Sequence, residues 1–411
     1  MGNLVMVNDT EFSHVVLIGN NFKNERSSGD KNFWFEIVKY LSTGLRRLTI
    51  ISLRPNHSDV DRCIVNNCHV EIHYIAPALL KSVSGSNKSG YPSRRGPYPR
   101  FVAVFDKLLN VRTILAKLRT IKKRHAYDHV HLMDNFGFGN IIIAKYAKSS
   151  VSVSAMAYMG SRFLSFYNFY LKTSYSHSNL VVVPYTKTYK HKLVELGIRE
   201  DRIEHIQWGV NNCEIQGLRF VANLRTVPII LWTGYIQQIM RDDFIYALNI
   251  ARTAIDRGLK ASFFFAFKPE SFEPTFAKYD DPYNGISVQS TTVDQFVELK
   301  QSVAVMYSPL VMRSTILAPP LTWLEMLSLG VPVVTTNVPG ASEVLQDGIN
   351  GYIAKSDEEL ILKIFCSVGN YKNMAQACIQ SARDGYSSIN SAHSYLKLWR
   401  TSSKQWRSKY L

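Results

Sequence analysis

The 411-residue sequence has few cysteines and lacks the patterns that mark a disulfide scaffold or a zinc ribbon. Its five cysteines form no CxxC pair, and their odd number leaves one without a partner. Cys63, Cys68 and His69 lie close together, but a metal ion needs about four ligands and no second cluster supplies the others. We therefore expect no metal site.

Long apolar runs are also absent. No run approaches the roughly 18 to 20 residues that cross a bilayer. The first residues, MGNLVMVNDTEFSH, have neither the basic nor the apolar region of a secretory signal, and Met6 stands where a myristoylation motif needs Ser or Thr. These absences predict a cytoplasmic protein.

Apolar residues are plentiful, at 46% of the chain against 19% charged residues, which predicts a sizeable core and excludes global disorder. The net charge of +16 is unevenly distributed. Residues 1–210 contain 29 Lys and Arg against 15 Asp and Glu, whereas residues 211–411 contain 19 against 17. The first half is therefore expected to face a negatively charged partner.

Strand-like and helix-like segments alternate along the chain, which predicts an α/β fold with parallel sheets. In the first half, the predicted strands are residues 14–19, 48–53, 70–75, 129–133, 151–157, 179–184 and 203–207. In the second half, they are residues 228–234, 261–267, 285–289, 303–307 and 331–336. Apolar spacing of three and four predicts a helix over residues 101–119.

Two similar series with a break between them predict two doubly wound, Rossmann-like domains. We expect a first domain over residues 1–210, a linker over residues 211–226 and a second domain over residues 227–385. Residues 386–411 form a basic and aromatic tail.

The most specific pattern covers residues 322–353, TWLEMLSLGVPVVTTNVPGASEVLQDGINGYI. It predicts a helix closed by Gly330 in the C′ position, then a buried strand, a Pro-Gly turn and a second helix start. This segment resembles the C-terminal signature of retaining GT-B glycosyltransferases of family four. Residues 196–212 and 298–309 also resemble that family, so the likeness extends over about 200 residues from residue 181 onward.

The resemblance implies a cleft between two domains. A nucleotide sugar would bind against the donor domain, residues 227–385, and the acceptor against the acceptor-binding domain, residues 1–210. The tail over residues 386–411 would pack back toward the first domain. The family's helix glutamate corresponds to Glu325, which would bind the ribose hydroxyls. An alternative is a capping box formed by Thr322 and Glu325 at a helix start. Backbone N–H groups around Leu321, Thr322 and Trp323 would hold a phosphate, since ligands in doubly wound sheets bind beyond the strand ends. For Glu343, at the second helix start, a structural role is at least as expected as a ligand contact.

Several positions depart from the family pattern. The family's second glutamate falls on Leu317, and a loop histidine is replaced by Tyr158-Met159-Gly160. The family's basic pair falls near Tyr235 and Met240, so that Arg241 is the candidate diphosphate partner. Arg313 is a second candidate cation, although a solvated loop arginine is an equal alternative.

Two glycines and one aspartate complete the predicted cleft. Gly29 precedes the first helix and is a candidate contact to the donor phosphates, with a plain loop glycine as an equal alternative. Gly234, which ends the first strand of the second domain, is a second candidate. Asp134 follows a strand that contains His129 and His131, and it is the candidate for a hydroxyl contact. The two histidines share one sheet face, where a strand histidine is more often a core residue than a ligand.

Residues 81–124 contain twelve basic residues and a single acid. We expect this segment to contact an anionic membrane or an acceptor, and the candidate residues are Arg94, Arg95, Arg100, Lys107 and Arg112. The alternatives are a core-packing helix with a solvated basic face and, less favoured, a nucleic-acid site; no nucleic-acid module is recognised.

The sequence therefore predicts a retaining glycosyltransferase that transfers a sugar to a glycan or lipid-linked acceptor, without a metal or other cofactor, at the inner face of a membrane. The departures keep a second hypothesis open, a non-catalytic GT-B subunit that activates a partner enzyme. A sugar-nucleotide epimerase shares the architecture but would act without an acceptor.

Overall fold

A computed structural model describes residues 12–20, 30–53, 60–75, 100–133, 138–155, 169, 172–210, 227–234, 240–269, 272, 274–311 and 319–410. The described residues form two sheets in which nearly all strands are parallel, each with helices packed on it. The predicted α/β class is confirmed.

The first sheet has seven strands in the order β3-β4-β2-β1-β5-β6-β7. The strands are β1 (His14–Asn20), β2 (Arg47–Leu53), β3 (Val60–Val65), β4 (Cys68–Ile75), β5 (His129–Leu132), β6 (Ser150–Ala155) and β7 (Leu180–Pro184). Only β3 runs antiparallel, paired with β4 in a hairpin. The chain order reverses between β1 and β5, which makes that point the topological switch of the sheet.

The second sheet has six parallel strands in the order β10-β9-β8-β11-β12-β13. The strands are β8 (Ile229–Gly234), β9 (Ser262–Phe267), β10 (Ile286–Ser290), β11 (Val303–Ser308), β12 (Val333–Thr336) and β13 (Gly351–Ala354). This order is that of a doubly wound nucleotide-binding sheet, and its switch point lies between β8 and β11.

Ten helices are described in addition to short 3₁₀ turns. They are α1 (Asp30–Leu41), α2 (Arg100–Arg124), α3 (Phe138–Tyr146), α4 (Lys187–Glu195), α5 (Met240–Asp256), α6 (Val293–Lys300), α7 (Leu321–Ser328), α8 (Ala341–Val344), α9 (Asp357–Gly385) and α10 (Ser388–Tyr410). None of these described helices is both long and apolar enough to span a bilayer.

Strand periodicity divides the apolar residues of the first sheet between two cores. Val15 and Leu17 of β1 belong to the cluster that contains α1 and α10, whereas Val16 and Ile18 belong to the cluster that contains α2, α3 and α4. Successive side chains of a strand point to opposite faces, so one buried strand supplies both cores. The sequence of a strand that is covered on both faces is therefore a continuous apolar run.

Helix α10 lies on the first sheet, although it is the last element of the chain. Its Tyr395 and Trp399 are fully buried, and the Trp399 ring stacks on His129 with centroids 5.7 Å apart. The helix also packs along α1 and contacts β5 and β6. Near its end, Arg407 pairs with Asp128, and the Tyr410 hydroxyl donates to Asn179 at 2.7 Å.

His129 and His131 are core residues rather than cleft residues. Both are fully buried, and their ring nitrogens bond to the hydroxyls of Ser150, Ser152 and Ser154 at 2.6–3.0 Å. Both rings point to the same face of the sheet, as the alternation predicted. Burial lowers the pKa of His129 to about 3 and that of His131 well below its usual range, so both are neutral.

Other expectations need correction. The strand predicted over residues 203–207 is only a single bridge from Ile203 to Val182. Strand β3 was not predicted, because its exposed residues lack an apolar face. Helix α2 is longer than predicted, and Val111, Ile114, Leu118 and Ile121 are buried in the first domain. Its apolar face is therefore a core face over these residues, which supports the packing alternative.

The neutral histidines predict an acid-sensitive fold. Below about pH 6.5 the unfolded chain binds protons at His129 and His131 that the folded chain does not bind, and for His129 this difference extends to about pH 3. Stability from these groups is therefore complete above pH 6.5 and decreases as the pH falls through this range. We expect His129→Gln to flatten the acid side of a plot of Tm against pH. His69→Gln, at an exposed position, is the control, and an equal response of the two variants would contradict the assignment.

Candidate active site at the switch point of the second sheet

Four described segments meet where β8 and β11 end. Strand β8 ends at Gly234, helix α5 starts at Met240, strand β11 is followed by residues 309–311, and helix α7 starts at Leu321. Since these strands are adjacent and parallel, their carboxyl ends lie at the same edge of the sheet. Ligands of doubly wound sheets bind in this crevice.

Gly234 occupies a crowded position on this edge. A Cβ built on it would approach the Trp232 ring to 2.2 Å, because both residues lie on one face of β8. Trp232 is itself packed among Phe244, Phe265 and Phe267 and cannot move aside. Packing therefore explains why glycine is needed here, and a donor contact at Gly234 stays a prediction.

Residues that follow β11 are fixed by hydroxyl groups of the neighbouring strand. Thr335 Oγ1 donates to the Ser308 carbonyl at 2.7 Å. Thr336 Oγ1 is within 3.0 Å of the Leu310 N–H and within 2.9 Å of the Leu310 carbonyl. Both threonines are fully buried. The backbone on this side of the crevice is thereby held rigidly.

Helix α7 begins without a side-chain cap. Its N-cap is Pro320, and Thr322 lies within the first turn, so the capping box proposed for Thr322 and Glu325 is not formed. The Trp323 N–H donates to the Pro320 carbonyl at 3.0 Å. Trp323 is therefore not a phosphate ligand, and the first-turn N–H groups of Leu321 and Thr322 remain the candidates.

Glu325 lies on the second turn of α7 and is mostly buried. Its Oε2 is 3.5 Å from Lys300 Nζ at the end of α6, with 16% of the Glu325 side chain and 11% of the Lys300 side chain exposed. At that distance the two charges form an ion pair rather than a hydrogen bond. A ribose hydroxyl would therefore meet a carboxylate that already has a cationic neighbour.

Asp243 is a residue that sequence reasoning missed. It lies in the first turn of α5 with 2% of its surface exposed, and its Oδ1 accepts the Val311 N–H at 2.6 Å. Its Oδ2 is buried without a hydrogen-bond partner in the described structure. This carboxyl connects the helix after β8 to the backbone after β11, across the switch point. The available signal was the acidic pair Asp242-Asp243 at a helix start after a glycine-ended strand.

Burial raises the pKa of Asp243 to about 6. The Val311 N–H opposes this increase because it stabilises the ionised form, and the neighbouring Asp242 adds to it by repulsion. A buried ionised oxygen without a partner is costly, and perturbed carboxyls of this kind are common at functional sites.

Several predicted site residues lie outside the described part of the structure. They are Gly29, Asp134, Arg313, Arg94 and Arg95. For Arg241, Arg100 and Lys107 only the helical backbone is described, in α5 and α2, whereas Arg112 is exposed on α2. The described residues include no group of three His, Cys, Asp or Glu side chains that could hold a metal ion.

The buried Asp243 predicts a pH dependence of folding stability that is opposite in sign to that of the buried histidines. Its folded pKa of about 6 lies above the ordinary value of 3.8, so the folded chain binds the extra proton and stability decreases as the pH rises through this range. Asp243→Asn keeps the acceptor for Val311 and removes the titration. We expect its Tm relative to the unchanged protein to rise between pH 4 and pH 7. Asp242→Asn, on the exposed side of the same turn, should show a smaller change, and a flat difference for Asp243→Asn would contradict the buried carboxylate.

A match to a known family covers most of this second domain. Residues 228–370 match the family model described as Glycosyl transferases group 1. This region contains both sides of the crevice, including Gly234, Asp243, Leu321 and Glu325. The resemblance inferred from residues 322–353 is thus confirmed. No curated protein sequence matches the chain.

Solved structures of similar fold extend over nearly the whole chain. A glycosyltransferase from Rickettsia africae aligns with 17% identity and a TM-score of 0.64, covering 96% of this chain and 99% of its own. Sucrose-phosphate synthase from Thermosynechococcus elongatus aligns with 11% identity and a TM-score of 0.71, covering 95% and 98%. The catalytic domain of starch synthase IV from Arabidopsis thaliana, bound to ADP and acarbose, aligns with 12% identity and a TM-score of 0.64, covering 96% and 100%.

At these identities the structural likeness establishes the fold, and the family match is a similarity over residues 228–370 of the second domain. The predicted GT-B architecture is confirmed, with one doubly wound sheet in each half of the chain. The chain has the GT-B fold, and its residues 228–370 match the glycosyltransferase group 1 family model.

Proposed function

We propose that this protein is a retaining glycosyltransferase that transfers a sugar from a nucleotide donor to a glycan or lipid-linked acceptor. The observation that supports this most directly is the family match over residues 228–370, which includes the crevice between β8 and β11. The donor lies in this crevice and the acceptor lies against the first domain. ADP in the starch synthase structure supports a nucleotide as the ligand class.

The proposed mechanism depends on stabilising the departing nucleoside diphosphate. The N–H groups of Leu321 and Thr322 lie at the positive end of the α7 dipole and hold a phosphate. Arg241 and Arg313 add the cations, so that no metal ion is required. Negative charge develops on the leaving diphosphate in the transition state. N–H groups and cations that are already held in place stabilise that charge. The transferred sugar keeps its anomeric configuration.

Other residues orient the two substrates. Glu325 accepts hydrogen bonds from the ribose hydroxyls. Gly29 and Gly234 have no side chain, so the protein backbone can approach the donor phosphates closely. Asp134 contacts a hydroxyl group of the acceptor or the transferred sugar. Closing the cleft over both substrates excludes water and so prevents hydrolysis of the donor.

The first test is thermal stabilisation by a panel of UDP, GDP, TDP and CMP sugars. A ligand at 100 times its Kd stabilises the folded state by about 2.7 kcal/mol, which is measurable as an increase in Tm. We expect one nucleotide class to stabilise the protein. Glu325→Gln should weaken that donor about 10- to 100-fold, because a hydrogen bond to a charged group contributes about 1.5 to 3 kcal/mol.

Lys300→Met is the matched control, since it removes the same ion pair but leaves the Glu325 carboxylate in place. If Glu325 binds ribose, donor binding is weakened in Glu325→Gln and retained in Lys300→Met. If both variants lose the donor equally, Glu325 has only a structural role with Lys300. The two variants thus separate a ligand contact from a stabilising ion pair.

The non-catalytic subunit is the second candidate, and the sequence departures at Leu317 and Tyr158-Met159-Gly160 favour it. Such a subunit would bind a nucleotide, or none, without turnover, and a second protein would be needed for sugar transfer. Donor binding without consumption of the donor across an acceptor panel would support this candidate over the enzyme.

We also propose that the first domain associates with an anionic membrane surface. Twelve basic residues and one acid fall within residues 81–124, and the exposed members of α2 include Arg112 and Arg119. Because the apolar residues of α2 from 111 to 121 pack into the core, the attraction is electrostatic rather than insertion of that face.

Vesicle sedimentation tests this association. We expect binding to phosphatidylcholine vesicles that contain phosphatidylglycerol, and weak binding to phosphatidylcholine alone. Each basic residue near the surface contributes about 1 kcal/mol, so replacing Arg94, Arg95 and Arg100 with Glu should weaken binding by at least about 100-fold. The control replaces Lys278, Lys355 and Lys372, all exposed on the second domain, with Glu. Equal losses in both variants would indicate a non-specific charge effect and contradict the proposed face.

A further inference from the structure

Glu343 projects from the second domain and completes the start of a helix in the first. Its Oε2 accepts the Lys187 N–H at 2.7 Å, and its Oε1 accepts the Thr188 N–H at 2.6 Å. These are the first two N–H groups of α4, and the third, from Tyr189, is accepted by the N-cap Thr186 at 3.1 Å. The first turn of α4 is therefore capped by side chains from two domains.

The same carboxylate has no capping role in its own helix. Helix α8 has Gly340 as its N-cap and no side-chain cap bond. The α4 side adds another contact, because Thr188 Oγ1 donates to the Pro339 carbonyl at 3.2 Å. The turn before α8 and the start of α4 thus hold each other through three hydrogen bonds.

This contact lies beside the backbone junction of the two domains. The Val210 N–H donates to the Tyr386 carbonyl at 2.7 Å, and the Ser388 N–H donates to the Val210 carbonyl at 3.1 Å. The Tyr386 hydroxyl donates to the backbone carbonyl of Glu343. Glu343 is therefore tied both to the junction, through its carbonyl, and to the first domain, through its carboxylate.

A small pocket lies between these contacts. On the side of the first domain it is lined by Thr186, Gln207 and Trp208, and on the side of the second by Leu324, Glu343 and Val344. Leu324 belongs to α7, the helix at the donor crevice. A change in the angle between the domains near Glu343 would therefore also change the distance between α7 and the first domain.

We propose that Glu343 is an interdomain catch that sets the angle between the two domains. Its two hydrogen bonds are charge-assisted and lie at the positive end of a helix dipole, which makes them strong for a single side chain. Glu343 is only half-buried, so salt and water weaken the contact, and the contact can open. The backbone junction at Val210 stays paired as the pivot.

The chain has a convenient pair of positions for testing this geometry. Cys63 on β3 and Cys366 on α9 are exposed, one in each domain, whereas Cys68 and Cys378 are buried. Spin labels on Cys63 and Cys366, in the full chain with Cys213→Ser, report the interdomain distance by pulsed electron paramagnetic resonance. The measurement needs no substrate, so its outcome does not depend on whether the proposed glycosyl transfer is correct.

We expect Glu343→Ala to broaden the distance distribution and shift its mean, and Glu343→Gln to have a smaller effect because it keeps one acceptor. Glu358→Ala is the matched control, since Glu358 is an exposed glutamate whose partner Arg257 lies in the same domain. High salt should move the unchanged protein toward the Glu343→Ala distribution and leave Glu343→Ala itself unaffected.

An unchanged distribution in Glu343→Ala, with or without a change in Tm, would overturn the proposal and leave Glu343 as a stabilising cap only. Where donor consumption is measurable, the variant should change the KM for donor or acceptor more than Glu358→Ala does. If the distance shifts but no donor is consumed by any variant, the catch stands and the proposed enzymatic function fails.

Discussion

The packing of helix α10 on the first sheet is the constraint on which the arrangement of the two domains depends. The chain leaves the first domain after Val210 and returns at Tyr386, where the two backbone segments form hydrogen bonds with each other. From there α10 buries Tyr395 and Trp399 against β5, β6 and α1. The second domain is therefore attached at both of its ends, so it can tilt about the junction but cannot swing freely on one linker.

The surface that receives α10 includes a row of polar side chains within an apolar core. Along neighbouring parallel strands, the order Ser150, His129, Ser152, His131, Ser154 forms a ladder of hydrogen bonds that reaches the Tyr395 hydroxyl at 3.3 Å. Parallel register places His129 opposite Ser150 and His131 opposite Ser152, so the ladder fits only one alignment of β5 and β6. Satisfied buried networks of this kind rigidify a core and favour a unique arrangement, whereas the same groups left unpaired would be costly.

Local sequence patterns predicted an element well where the role of a residue depends only on its own conformation and its near neighbours in sequence. Gly330 was expected at the C′ position of a helix, and its φ of 79° with an N–H bonded to the Leu327 carbonyl confirms it. Prediction failed where the deciding partner is distant in sequence. The strand pattern favoured a core role for His129 but could not identify its stacking partner Trp399, which lies 270 residues later. The hydrogen bond from the Val311 N–H to Asp243 joins residues that no local period relates. Glu343 caps a helix that begins 156 residues earlier, so no capping pattern in either segment could reveal it.

These distant contacts differ in how completely their buried polar atoms are hydrogen-bonded. In the first sheet every polar atom of the histidine ladder is bonded, and the result is a rigid platform for α10. At the switch point of the second sheet, Asp243 Oδ2 is buried without a partner, which is costly at neutral pH because the group is then ionised. A buried carboxylate oxygen without a partner beside the crevice is typical of sites whose groups must meet a ligand. Between the two lies Glu343, whose half-exposed carboxylate is strong enough to orient the domains and weak enough to let a cleft open between them.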